Sequence, residues 1–201
     1  MGDAPGMIQN LINCRVDNAL HHLNQAEYGA HLMIVYPDLD TLRELYSNYV
    51  HKQIKENKEI VLINPFYETT DSVRQVLSEK FNDDISNVSK YEKEESLMIA
   101  DALEEYLGDQ PLIYVKKGLA NYAKVGKKGL SVLADLGAYS HRSKHDDLVN
   151  YELSLPTKYD VQMKGFCLYH QNDFDNLSDE QKEKLIEHHG KAIEIIRRKK
   201  N

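Results

Sequence analysis

Short runs of consecutive apolar residues alternate along this chain with amphipathic segments, and this alternation constrains the fold more than any other feature. The first run, residues 32–36, leads through a tight turn into a segment with helical spacing that begins at Thr41. Strands buried on both faces appear as continuous apolar runs, and helices between them make neighbouring strands parallel. The sequence therefore predicts an α/β domain with a mostly parallel sheet.

Five runs are predicted to be strands, at residues 32–36, 59–64, 97–101, 130–135 and 163–169. Segments with helical spacing are predicted to be helices, at residues 7–27, 41–56, 111–125, 146–155 and 178–198, with a shorter helix starting near residue 70. Ser178 and Gln181 have the spacing of a capping box at the start of the last helix. Residues 82–93 are polar and are expected to form a loop. The expected architecture has three layers, with about five strands flanked by helices.

The chain of 201 residues shows no Pro/Gly-rich linker and no internal repeat. A chain of this length most often forms one domain. We expect residues 1–28 to form an N-terminal helix that packs on or extends the domain. Residues 29–201 are expected to form the α/β domain itself.

Charge and cysteine content limit the classes of partner. The net charge of −7 argues against nucleic-acid binding, which needs a basic face, and the basic residues 197–201 are expected to be solvated. Cys14 and Cys167 are far apart and belong to no CxxC pair, so both are expected to be reduced and buried. No secretion signal or long apolar segment is apparent. We expect a cytoplasmic protein that binds neither nucleic acid nor membrane.

The loop after the first strand bears on nucleotide binding. In a nucleotide-binding α/β protein a glycine-rich loop cradles phosphate at this position. Here the loop contains no glycine and no lysine, and it carries two carboxylates, Asp38 and Asp40. Both would repel phosphate. This loop favours a binding or sensing module over an NTPase.

Candidate ligand-binding residues follow the predicted strands, because ligands of open α/β sheets bind outside the carboxyl ends of the strands. The chain has thirteen tyrosines, four phenylalanines and no tryptophan, and several tyrosines fall at strand ends, where a ring can line a pocket. We expect an unknown small organic ligand and no cofactor. The candidates are Tyr36, Asp38, Asn64, Tyr67, Glu68, Asp135, Tyr139 and Tyr169.

A residual nucleotide hydrolase is the main alternative. Asp135 ends an apolar strand, as does the aspartate that holds Mg²⁺ in P-loop ATPases. Glu68 follows the second strand, where RecA-like ATPases place a carboxylate that activates water. Without a phosphate cradle these two residues have no substrate to act on.

A metal site is a weaker alternative. His141 and His145 have the i, i+4 spacing that places two rings on one helix face, but the glycine and serines around them indicate a loop. The pairs at residues 21–22 and 188–189 each place one ring on the apolar side of a helix, where structural histidines are more common than ligands. No Ser-His-Asp or Cys-His pattern supports nucleophilic catalysis.

Several short motifs together resemble a known family. They are HLMIVY at residues 31–36 with the acidic loop and helix after it, EIVLI at 59–63, LMIAD at 97–101, YE at 151–152, GFCLY at 165–169 and HH at 188–189. Over residues 25–197 this pattern is similar to the MEDS family, the methanogen/methylotroph DcmR-type sensory domain. The resemblance implies a RecA/KaiC-like fold whose Walker A loop has degenerated, with a role in sensing small molecules.

By this resemblance six residues fall on positions typical of the family: His31, Tyr36, Glu152, Cys167, Tyr169 and His189. Family members are often fused to a DNA-binding or histidine-kinase module, and no such module fits this sequence. We therefore expect a cytoplasmic sensory domain without catalytic activity, which signals through a protein partner or by self-association.

Overall fold

Seven parallel strands form one sheet within the residues that the structure describes. A computed structural model describes residues 10–56, 58–81 and 85–197. The strands are β1 (Leu11–Cys14), β2 (His31–Tyr36), β3 (Glu59–Asn64), β4 (Leu97–Ile99), β5 (Gly129–Asp135), β6 (Met163–His170) and β7 (Lys191–Ile195). Their order across the sheet is β1-β7-β2-β6-β5-β3-β4, and every pairing is parallel. The predicted α/β class with a parallel sheet is confirmed.

Helices connect the strands. They are α1 (Val16–Gln25), α2 (Leu39–Glu56), α3 (Thr70–Lys80), α4 (Ile85–Lys93), α5 (Ala102–Leu107), α6 (Ile113–Asn121), α7 (Gly137–His141), α8 (His145–Ser154), α9 (Gln171–Asp175) and α10 (Asp179–His188). Side chains satisfy free N–H groups where several of these helices begin. The predicted capping box of Ser178 and Gln181 is present at the start of α10.

Each face of the sheet carries its own apolar core. Leu32, Ile34 and Tyr36 of β2 belong to the core that packs against α1 to α4. Met33 and Val35 alternate with them and belong to the second core, which packs against α5 to α10. Side chains of a strand point alternately to the two faces, so a continuous apolar run supplies both cores. The result is a sheet between two helical layers, as expected.

The described part of the chain contributes seven strands to the sheet and not about five, because each predicted terminal helix contains a strand. The helix predicted over residues 7–27 begins at Val16, after strand β1, and the helix predicted over 178–198 ends at His188, before strand β7. These strands have four and five residues, too few to distinguish a period of 2 from one of 3.6. β7 pairs with both β1 and β2, so residues distant in the chain decide its conformation.

The predicted loop over residues 82–93 was also wrong, since α4 covers residues 85–93. Val88 is fully buried in the core beneath the sheet, and Tyr91 packs edge-on against Phe81 at the end of α3. The segment is polar, and tertiary packing of one narrow apolar stripe holds it as a helix.

Two predicted features lie outside the described residues. These are the start of the first helix, at residues 7–9, and the basic tail beyond Arg197. Among the helices that the structure does describe, none is both long enough and apolar enough to cross a membrane.

Candidate functional site

A buried hydrogen bond joins two of the predicted residues at the carboxyl edge of the sheet. The Tyr36 hydroxyl at the end of β2 donates to Oδ2 of Asp135 at the end of β5, over 2.8 Å. The other carboxylate oxygen accepts from the Gly137 backbone N–H over 3.0 Å. Burial raises the pKa of Asp135 to about 7, although these donors oppose the shift. Burial, with the neighbouring carboxylate, also raises the pKa of Tyr36.

Tyr67 extends this group towards solvent. Its hydroxyl donates to the carboxylate of Asp173 over 2.6 Å. The rings of Tyr36 and Tyr67 both contact His170, with centroids 5.3 and 5.1 Å from the imidazole centroid. The structure thus brings Tyr36, Tyr67 and Asp135 together at one edge of the sheet.

Asp38 and Glu68 are engaged by neighbouring protein groups. Asp38 accepts from the Thr41 backbone N–H over 2.9 Å at the start of α2, and Arg197 lies 3.1 Å from its other oxygen. Glu68 accepts from Arg43 and from the Ser72 hydroxyl, each over 3.0 Å. Asp38 and Glu68 therefore form hydrogen bonds with groups near the starts of α2 and α3.

Three further predicted residues lie within the protein. Asn64 donates to the Ala100 carbonyl and accepts from the Tyr106 hydroxyl, which joins β3 to the segments after β4. Tyr139 stacks on Tyr151 with ring centroids 5.5 Å apart. Tyr169 is buried, and its hydroxyl makes no hydrogen bond. Asn64 and Tyr139 therefore join structural elements inside the domain.

The two histidines of the metal alternative lie on different helices. His141 ends α7, where its ring packs against Phe66 with centroids 5.7 Å apart, and His145 begins α8. The spacing of i, i+4 therefore does not place them on one helix face.

A second group of polar side chains lies inside the domain, on the face of the sheet covered by α8 and α10. We call it the buried polar cluster, and it consists of His31, Glu152, Cys167 and His189. One potential ligand atom from each of the four residues lies within 4.8 Å of all the others. All four side chains are buried, with exposed fractions of 1, 0, 4 and 5% in that order.

Glu152 is the centre of the buried polar cluster. Its Oε2 lies 3.4 Å from Nε2 of His31, 3.2 Å from Nε2 of His189 and 3.7 Å from Sγ of Cys167. Burial by itself raises the pKa of Glu152, but the two histidines outweigh burial and lower it to about 2. Burial and the adjacent carboxylate raise the pKa of the Cys167 thiol well above its ordinary value. The two imidazoles thus favour the ionised form of Glu152, and the adjacent carboxylate favours the protonated form of Cys167.

An apolar cavity of about 60 Å³ adjoins the buried polar cluster. Side chains from β5, β6 and the helices of the second core line it, among them Val132, Ala134, Tyr106, Tyr151, Tyr159 and Cys167. Cys167 therefore borders both the cavity and the cluster.

Spacing alone did not reveal the buried polar cluster, because its members come from four separate segments. The family resemblance did pick out all four residues, together with Tyr36 and Tyr169. In the structure Tyr169 lies two residues beyond Cys167 on β6, on the same face of the sheet. The family motifs thus contained all four residues of the buried polar cluster. Only the structure shows that their side chains lie next to one another.

Comparisons with known proteins give one result. No curated protein and no solved structure matches the chain. The family model named MEDS, described as the MEthanogen/methylotroph, DcmR Sensory domain, matches residues 30–189. The match runs from the start of β2 to the last member of the buried polar cluster and covers most of the chain. This protein therefore belongs to the MEDS family of sensory domains.

Proposed function

We propose that this chain is a sensory domain without catalytic activity, and that it binds a small, largely apolar molecule in the cavity beside Cys167. The observation that carries the proposal is the cavity itself, which apolar and aromatic groups of the second core line. Small-molecule sites are typically concave and apolar, with few polar groups. Membership of a sensory family supports the same function.

The size of the cavity sets the class of ligand. One water molecule needs roughly 10–15 Å³ of such space. A cavity of about 60 Å³ thus accommodates only a few non-hydrogen atoms. The expected ligand is an uncharged molecule of that size, since an ion would lose its hydration without a matched partner on this apolar wall.

The carboxyl edge of the sheet, where the sequence placed the ligand, fits a structural role better. The polar groups of Tyr36, Tyr67 and Asp135 bind one another or neighbouring protein groups. A ligand there would have to replace these hydrogen bonds. Binding in the cavity would break no hydrogen bonds of this kind, so we place the ligand in the second core.

We further propose that the domain derives from a RecA/KaiC-like ATPase whose phosphate loop has degenerated. Asp38 supports the loss of the phosphate loop, because its carboxylate accepts the Thr41 N–H at the start of α2. A free helix N-terminus would offer that donor to a phosphate. Here a negative side chain already occupies the position, and this argues against the residual nucleotide hydrolase.

The signal would leave the domain through a protein partner or a second copy of the chain. Among the described strands β1 lies at one edge of the sheet, and unpaired strand edges readily pair with other chains. Ile12 on β1 and Ile196 just beyond β7 are both exposed. Light scattering of the purified protein with and without ligand tests for self-association.

Filling the cavity should abolish ligand binding. Ala134→Leu adds three carbon atoms to the cavity wall. Xenon and 2-propanol serve as small probes, and nuclear magnetic resonance of side-chain methyl groups detects them. We expect probe-dependent shifts at Val115 and Val132 in the unchanged protein, and none in the variant. Overpacking costs about 1–3 kcal/mol, so circular dichroism must show that the variant is folded.

The matched control is Ala120→Leu, which adds the same atoms to an exposed position on α6. This variant should bind both probes as the unchanged protein does. Probe-dependent shifts that persist in Ala134→Leu, or a lack of shifts in the unchanged protein, would contradict the proposed cavity site.

Calorimetric titration with Mg·ATP should give no saturable heat, even at millimolar nucleotide. The physical reason is repulsion between phosphate and the Asp38 carboxylate at the start of α2. Saturable binding that disappears in Asp135→Asn would instead support the residual nucleotide hydrolase.

A further inference from the structure

The buried polar cluster has the composition of a metal site. It provides two imidazoles, a carboxylate and a thiol, and its members come from β2, α8, β6 and the residue after α10. Imidazole and thiolate ligands suit zinc and related transition metals, whereas Mg²⁺ and Ca²⁺ prefer oxygen ligands. The cluster is separate from the carboxyl edge of the sheet, where the sequence alone placed a ligand.

The two imidazoles are oriented as metal-binding histidines are. Nδ1 of His31 donates to the Pro156 carbonyl over 3.1 Å, and Nδ1 of His189 donates to the Leu185 carbonyl over 2.6 Å. A carbonyl oxygen only accepts, so both Nδ1 atoms carry the proton. In the neutral rings both Nε2 lone pairs therefore point into the cluster. Metal-ligating histidines are commonly fixed in this way by a backbone carbonyl.

Without a cation, and with both rings neutral, the Cys167 thiol is the only donor within the cluster, and it faces three acceptor atoms. Nε2 of His31 and Nε2 of His189 lie 3.4 and 3.2 Å from Oε2 of the Glu152 carboxylate. His189 Nε2 makes no hydrogen bond, and neither does Oε1 of Glu152. Protonating one ring balances the Glu152 charge but leaves the other Nε2 lone pair facing the carboxylate, and protonating both rings leaves a net positive charge in the core. Such uncompensated buried charge is costly.

A divalent ion resolves both problems. Two neutral imidazoles, one carboxylate and one thiolate around a doubly charged ion give a neutral site. The Cys167 thiol loses its proton to solvent when it coordinates, as ligating thiols do. The same ion supplies the electron-pair acceptor that His189 Nε2 and Glu152 Oε2 face.

Four of the six separations between ligand atoms are close to those of a tetrahedral site, and all six are within 4.8 Å. Bond lengths of about 2.0–2.3 Å to zinc place tetrahedral ligand atoms roughly 3.3–3.6 Å apart. The contacts with Glu152 Oε2 measure 3.2, 3.4 and 3.7 Å, and Nε2 of His31 lies 3.3 Å from Sγ of Cys167. Small side-chain adjustments would therefore complete the coordination.

We propose that the buried polar cluster binds one divalent transition-metal ion, for which Zn²⁺ is the best fit. Four protein ligands leave no open coordination position, which is typical of a structural and not a catalytic site. The ion would tie α8 and the end of α10 to β2 and β6. Since Cys167 also borders the apolar cavity, the ion would hold one wall of that cavity in place.

Metal content and cobalt spectroscopy test the proposal. The purified protein should contain about one zinc ion per chain by elemental analysis. After removal of zinc with a chelator, titration with Co²⁺ should saturate at one equivalent. Cobalt bound by a thiolate in a tetrahedral site gives a sulfur-to-metal charge-transfer band and intense visible absorption. Addition of Zn²⁺ should displace the cobalt and abolish both features.

Variants assign the ligands. Cys167→Ser should abolish the charge-transfer band, and Glu152→Gln should keep it. Each should weaken Zn²⁺ binding by more than the roughly 10–100-fold that the loss of an outer-shell partner costs. The matched control is Cys14→Ser, which alters the other buried cysteine and should retain the band and the affinity. Because the chain has two cysteines, this control assigns the band to Cys167 even where Cys167→Ser fails to fold.

Two results would overturn the proposal. The first is that the folded, unchanged protein takes up no stoichiometric zinc or cobalt. The second is that the charge-transfer band is lost in Cys14→Ser. The metal site does not depend on the proposed sensory function, since xenon binding and cobalt binding are measured separately and each can fail without the other.

Discussion

Glu59→Ala is expected to lower the free energy of unfolding by about 3–5 kcal/mol, the cost of removing one partner from a buried ion pair. The Glu59 carboxylate is 2% exposed and lies 2.5 Å from the Lys164 ammonium, whose side chain is also buried. It also accepts from the hydroxyls of Ser131 and Tyr49. The substitution leaves the Lys164 charge in the core without its counter-ion.

This ion pair connects the middle of the sheet. Glu59 begins β3, Ser131 lies on β5 and Lys164 lies on β6, three adjacent strands. Tyr49 of α2 adds the first helical layer to the network, and its hydroxyl also lies 2.8 Å from that of Ser131. Losing the carboxylate therefore affects four elements at once.

Urea denaturation followed by circular dichroism measures the effect. The double variant Glu59→Leu with Lys164→Met should lose much less stability than Glu59→Ala, because it leaves no charge in the core. Lys144→Ala is the surface control, since it breaks an exposed ion pair with Asp147 and should cost only about 0–1 kcal/mol. A loss for Glu59→Ala as small as that of Lys144→Ala would show that the buried pair contributes little.

Asp135→Asn is expected to make the protein more stable than the unchanged chain above neutral pH. Burial raises the folded-state pKa of Asp135 from an ordinary 3.8 to about 7. Between those values the folded state holds a proton that the unfolded state has released, so stability falls as pH rises through this window. At 1.36 kcal/mol for each pKa unit the loss is of order 4 kcal/mol once pH exceeds 7.

Asparagine removes the titrating charge and keeps the hydrogen bonds. Its carbonyl oxygen accepts from Gly137 as the carboxylate does, and its amide donates to the Tyr36 hydroxyl, which reverses its role. We expect the stability difference between variant and unchanged protein to grow as pH rises from about 4 to about 8, and to be smallest near the acid end.

Unfolding midpoints in urea across that pH range test the prediction. Asp173 lies at the same edge of the sheet, and burial also raises its pKa, so the pH dependence of the unchanged protein alone does not isolate Asp135. The difference in stability between Asp135→Asn and the unchanged protein isolates the contribution of Asp135. A constant difference at all pH values would mean that the carboxyl of Asp135 does not titrate in this range.

Sequence reasoning identified the central strands well. Residues 59–64 form β3 as predicted, and β2, β5 and β6 differ from their predicted bounds by one residue at an end. β4 covers residues 97–99 and ends two residues before the predicted strand, which extended to Asp101. These runs are buried on both faces and therefore consist almost entirely of apolar residues, which makes them recognisable in the sequence. The capping box at Ser178 was also predictable from the sequence, because its contacts span only three residues.

The elements that were missed depend on distant partners. β1 and β7 are short and exist as strands because they pair with each other at the side of β2. α4 is a polar segment that is helical because Val88 is buried against the rest of the domain. In each case the local pattern fits more than one conformation, and contacts from remote segments select one.

The predicted site residues also divide into those that local patterns located and those that only the tertiary structure brought together. Positions at the ends of strands placed Tyr36, Tyr67 and Asp135 at one edge, and the structure brings these three together. The prediction that they bind a ligand stays a prediction. The four members of the buried polar cluster were known only as separate family-like positions, without a stated chemistry.

The sequence by itself determined the α/β class, the central parallel strands and the absence of a glycine-rich phosphate loop, because burial periodicity and loop composition are local properties. The tertiary structure decided the two outer strands, the cavity and the meeting of His31, Glu152, Cys167 and His189. A span of 136 residues separates His31 from Cys167, yet they lie on neighbouring strands with side chains on the same face of the sheet. Such proximity follows from strand order and side-chain direction, which the spacing of residues along the chain does not encode.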